Sequence, residues 1–97
     1  MDISDDQLTR FKAGMHITHK LEDTYLTGLL SDSADYISGI VNTDDLNNPK
    51  FFELVCNRAR YAYNDQLKDF DTDYRSPLMN LSIDQLILEA DTDGNSD

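Results

Sequence analysis

One cysteine, Cys56, is too little for a disulfide framework, and an unpaired thiol suits a reducing compartment. Bases are scarce too: eight lysines and arginines face nineteen aspartates and glutamates, for a net charge of −11. Such a balance argues against wrapping nucleic acid, because neutralising phosphates supplies most of that affinity; contact with DNA is expected to be slippery. No apolar run is long enough to span a bilayer, and the amino terminus lacks the basic-then-apolar pattern of a leader, so the expectation is a protein neither secreted nor embedded in a membrane. Without a secretory signal, the glycosylation sequon at Asn80 carries no weight. Glycine-rich phosphate loops, a nucleophile elbow, a zinc-ligand quartet and an HExxH pair are all missing. The many carboxylates fall on polar faces rather than inside apolar sequence that would raise a pKa for acid catalysis. No enzyme and no cofactor is expected.

What is present is helical patterning in a chain of 97 residues, enough for one domain with a modest core. Between Pro49 and Lys68 the residues Lys50, Glu53, Asn57, Arg60, Asn64 and Lys68 share one narrow polar stripe, and Phe51, Phe52, Leu54, Val55, Ala59, Tyr61, Tyr63 and Leu67 cover most of the rest. A helix that apolar belongs at the centre. Asn48 is placed to cap it and Pro49 suits its first position. Arg58 and Asp65 interrupt the apolar arc, which fits either an arginine snorkelling to the domain edge or a surface covered on assembly. Cys56 reads as a core thiol.

Ahead of this helix, Ile3-Ser4-Asp5-Asp6-Gln7-Leu8 combines a capping box with a hydrophobic staple, so a short helix is expected from about Asp5, with Gly14 as its stop. Leu26, Leu29, Leu30, Ser33, Ile37 and Ile40 then mark a second long helix from about Lys20 to Val41. The same S-x-D-Q-L pattern returns at Ser82–Leu86 and predicts a last short helix over about 83–88. The fold expected is thus an all-α bundle with long helices at about 20–41 and 49–68. Residues 1–88 form its domain, and 89–97 form a flexible acidic tail without apolar periodicity.

Three metal readings are weak. His16, His19 and Asp23 lie near a connector, but zinc needs three or four donors in fixed geometry. Asp69, Asp71 and Asp73 imitate the start of a calcium loop, yet Tyr74 stands at the glycine position and Asn80 at the position of the bidentate acid. Asp91, Asp93, Asn95 and Asp97 fail likewise, with Ser96 for glycine and no distal glutamate.

Glu22-Asp23 followed by Leu26, Leu29, Leu30, Ser33, Asp35, Tyr36 and Ile37, then Leu54, Arg58, Arg60, Tyr61, Tyr63, Asn64 and Asp65 with Phe70 and Tyr74 behind, resembles the head–tail connector proteins of tailed bacteriophages, also called head-completion or adaptor proteins. The resemblance spans roughly Leu8 to Leu88. It implies a helical virion subunit, made in the host cytoplasm, that joins a ring of generally twelve copies at the head–tail interface. There it would sit beneath the portal protein, extend the DNA channel without specific binding and carry the next tail-side connector or stopper. On that reading Arg58 and Asp65 are candidates to pair across the subunit contact with Tyr61 as aromatic anchor. Glu89, Asp91 and Asp93 are candidates to touch the portal, and Asp44 and Asp45 to face the channel or tail side. Rival classes are an acidic inhibitor that mimics DNA, against which the lysines and arginines on the long helices count, and a small regulatory binding module.

Overall fold

A computed structural model describes the backbone of residues 1–95 and the side chains of residues 1–88. Five helices follow one another: α1 (Asp5–Gly14), α2 (Asp23–Val41), α3 (Pro49–Tyr63), α4 (Leu67–Asp73) and α5 (Arg75–Asn95). The described residues contain no strand. The all-α expectation therefore holds, with changed boundaries.

Two starts follow the sequence directly. Ser4 and Gln7 form the capping box of α1: Gln7 N–H donates to Ser4 Oγ at 3.1 Å, and Ser4 N–H donates to Gln7 Oε1 at 2.8 Å. Asn48 Oδ1 accepts from the N–H groups of Lys50 and Phe51 at the start of α3, with Pro49 in the first turn. By contrast α2 begins at Asp23 rather than Lys20, and no side chain caps it.

The larger corrections concern α3 and α5. The central helix does not run to Lys68 but stops at Tyr63, because Asp65 takes a left-handed conformation with φ 57°. Gln66 N–H then donates to Tyr61 O at 2.8 Å, and Asp65 N–H to Ala62 O at 3.2 Å; these two bonds close a Schellman turn. The end of α1 is built the same way around His16 (φ 59°), not by Gly14, with Ile17 N–H donating to Lys12 O and His16 N–H to Ala13 O. Asn42 (φ 61°) ends α2. Asn, Asp and His tolerate this conformation better than other residues with a Cβ.

Between α4 and α5 the break falls at Tyr74, three residues ahead of Pro77. A continuous helix would aim the Pro77 ring at the Asp73 carbonyl and lose that bond, so α5 restarts instead, with Leu78 N–H donating to Tyr74 O at 3.0 Å. Because α5 starts at Arg75, the Ser82–Gln85 pattern lies inside a helix and caps nothing. The helix backbone continues to Asn95, while the side chains of the expected acidic tail lie outside the described residues.

Packing follows from the long pair. Leu26, Leu30, Ala34, Ile37 and Val41 of α2 meet Phe51, Leu54, Val55 and Ala59 of α3. Phe11, Phe70, Leu78 and Leu81 close this core from α1, α4 and α5. Tyr63 at the end of α3 donates to Glu22 just before α2, so the two run antiparallel. At the other end Lys50, in the first turn of α3, pairs with Asp84 at 3.0 Å, so α5 runs back along α3. Residues 85–95 therefore pass beyond the start of α3 by about 16 Å of helix. The molecule is accordingly long, 53 × 28 × 18 Å, and its radius of gyration of 14.7 Å exceeds the about 12.5 Å of a compact chain of this length.

The turn at Asp65 gives a direct check. Asp65→Gly should raise unfolding stability by about 1 kcal/mol, and Asp65→Val should lower it by about 1–2 kcal/mol, in urea titrations of the purified protein. Equal stability of the two variants would mean that α3 does not end in a left-handed turn.

Candidate functional site

Arg58 leaves α3 towards α2. Its Nη1 donates to Ser33 Oγ at 3.2 Å, and its guanidinium lies over the Tyr36 ring at 4.2 Å from the centroid. Ser33 is fully buried and polar, so Arg58 supplies the partner that burial demands. Tyr36 in turn donates its hydroxyl to Asp71 Oδ2 at 2.7 Å, which ties α4 to the same seam. Arg58 is therefore engaged within the subunit, at the seam between α2 and α3.

Tyr61 is likewise engaged inside the chain. Its hydroxyl donates to Asp73 Oδ2 at 2.8 Å, and its ring meets Phe70 and Tyr74 edge-on at 5.6 and 5.5 Å. Asp65 is exposed, in the turn after the helix rather than on its apolar side. The three candidate interface residues are thus not brought into one patch: Arg58 faces α2, Tyr61 faces α4, and Asp65 sits past the end of α3.

Asp44 and Asp45 are both exposed in the connection between α2 and α3. Asp45 folds that connection back, accepting from Asn47 N–H at 2.9 Å through Oδ1 and from Asn48 N–H at 2.9 Å through its carbonyl. Glu89, Asp91 and Asp93 lie outside the described side chains.

Three tyrosines share one role. Tyr36, Tyr61 and Tyr63 each give a hydroxyl hydrogen bond to a carboxylate, respectively Asp71, Asp73 and Glu22, and each bond pushes the phenol pKa up by favouring its neutral form. These bonds fasten α4 to α2 and α3, and the end of α3 to the start of α2. Cys56 is half-buried, and burial raises its thiol to about 11, so it stays protonated and a poor nucleophile near neutrality.

The acids of the imitation calcium loop are taken up by this fastening, since Asp71 and Asp73 lie on α4 with a tyrosine each. Asp23 accepts from Lys12 at 2.6 Å rather than joining His16 and His19. Among the described residues no group of three histidines, cysteines or carboxylates could hold a metal ion. Of the open clefts, two border α3. One, of about 290 Å³, lies between α3 and α5 under the Lys50–Asp84 pair, with Leu54, Pro77 and Leu81 in its wall. The other, of about 140 Å³, has Arg10, Cys56 and Arg60 at its edge.

A row of exposed apolar side chains lies on α5. Along α5, Met79, Ile83, Leu86 and Ile87 are each 46–56% exposed. At 100° per residue they span one side of the helix, while Leu78 and Leu81 (6% and 2% exposed) point into the core from the other. The sequence signal was available: α5 is apolar on two faces, and a bundle can bury only one of them.

The seam at Arg58 predicts a measurable cost. Arg58→Ala should destabilise the chain by about 1–3 kcal/mol in chemical denaturation, through the lost partner of Ser33 and the lost stacking on Tyr36, whereas Asp44→Ala should change stability by less than about 0.5 kcal/mol. An Arg58→Ala variant as stable as the parent would free Arg58 for an external contact.

No family model matches this chain, and neither a curated protein nor a solved structure matches it.

Proposed function

We propose that this chain is a structural subunit of a phage head–tail connector, assembling with further copies into a closed ring beneath the portal. One observation carries the reading: α5 keeps a row of four large apolar side chains about half exposed to water. Isolated exposed apolar residues are ordinary, but a contiguous row on one helix face is the mark of a surface made to be covered. Two further features agree with it. The cleft between α3 and α5 is open and bridged by the Lys50–Asp84 pair. The charge of −11 suits a wall past which DNA slides without being held.

In this reading the subunit acts by position rather than by turnover. The portal gathers copies and raises their local concentration, so a contact that holds two free subunits only weakly suffices once many are aligned. A heterologous contact repeated with rotational closure makes the ring, and it requires two different surfaces on each copy.

The test is electron cryo-microscopy of DNA-filled, portal-bearing heads of the encoding phage after incubation with the purified chain. A ring of added helical density under the portal is the expected result. Unchanged heads, together with a chain that displaces DNA from a nuclease, would give the acidic-inhibitor reading the advantage.

A further inference from the structure

The two ends of the molecule differ in a way that matches them to each other. At one end α5 overhangs the bundle, because Asp84 already stands opposite the first turn of α3 and the helix continues to Asn95. The overhang carries Leu86 and Ile87 exposed, in line with Met79 and Ile83. Beyond Leu88 the sequence adds Glu89, Asp91, Asp93 and Asp97 with no base.

At the opposite end lies a second apolar surface. Leu21 is 91% exposed in the turn before α2, and Tyr25, one helical turn on, is 54% exposed. Tyr63 joins this end, with its ring 6.4 Å from that of Tyr25 and its hydroxyl on Glu22. The turn out of α3 leads directly to Leu67, also exposed, and Lys68. Lys20 precedes Leu21. Lys12, Lys20 and Lys68 stand here among Glu22, Asp23, Asp65 and Asp69, with Asp23 paired to Lys12 and Glu22 accepting from Tyr63. This end therefore carries bases, whereas residues 85–97 contain none.

We infer that the overhanging α5 of one copy docks across the Leu21–Tyr25 end of a second copy. For the identity of the partner the inference rests on the ring reading above. Charge sets the direction. Two overhangs laid against each other would bring together two acidic stretches of sequence that contain no base. The Leu21–Tyr25 end instead offers Lys20 and Lys68 beside an apolar patch. Donor and acceptor lie at opposite ends of a 53 Å molecule, so the contact leaves a free donor and a free acceptor and can propagate to a ring.

Sedimentation equilibrium tests this with two surface variants, Ile87→Asp on the overhang and Leu21→Asp on the patch. At about 0.15 M salt, where the screening length is about 8 Å, the unaltered chain should associate below about 1 mM, and each variant alone should associate at least about tenfold more weakly. Mixed in equal amounts, the variants should form a one-to-one dimer and nothing larger, because one good overhang meets one good patch. An unaltered chain that stays monomeric at about 1 mM, variants that associate as it does, or a mixture that fails to pair overturns the inference. On heads, a ring completed by Ile87→Asp as readily as by the unaltered chain would remove this contact and keep the connector role. Pairing variants of a chain that never binds heads would remove the role and keep the contact.

Discussion

The antiparallel seam between α2 and α3 is what everything else leans on. Leu26, Leu30, Ala34, Ile37 and Val41 are fully buried against Phe51, Val55 and Ala59, and each large side chain removed from water contributes on the order of 1.5–3 kcal/mol. In the middle of that seam sits Ser33, a buried hydroxyl that would cost stability without a partner. Arg58 provides the partner and keeps its own charge at the edge over Tyr36. From there the Tyr36–Asp71 bond carries the seam into α4, and α4 turns the chain at Tyr74 into α5. A charge on an apolar helix face, suggestive of an external contact, is thus spent on holding three helices together.

The same seam limits what α5 can bury. Its inward side chains, Leu78 and Leu81, reach the core, but its outward face has no helix to lie against and its second half passes the end of the bundle. A domain of this size has too little interior to cover a helix that is apolar on two sides. In the proposed assembly a second copy covers this face, and the difference between the base-free overhang and the lysine-bearing Leu21–Tyr25 end gives that contact a direction.

How far the sequence foretold this depends on which signal was local. The caps at Ser4 and Asn48 are written in adjacent residues and appear as written. The α2 stripe and the apolar excess of α3 led to most of the core, but Ile40 at the end of α2 and Leu67 beyond the end of α3 are exposed. The end of α3 was hidden, because the apolar period continues to Leu67 and only the backbone conformation of Asp65 breaks it. Pro77 did announce a boundary, but its effect falls on Tyr74, upstream of the proline, and the Ser82–Gln85 pattern drew attention to a false start. The partners of Arg58 and Tyr61 are separated from them by 25 and 12 residues, and tertiary pairing at such distances has no periodic signature.

Amide hydrogen exchange on the free subunit and on the subunit bound to heads measures the central claim most directly, that the outward face of α5 is covered by assembly. Slower exchange confined to residues 79–88 and 21–25 in the bound state is the predicted result. Unchanged exchange over 79–88, with new protection appearing elsewhere on the subunit, would contradict it.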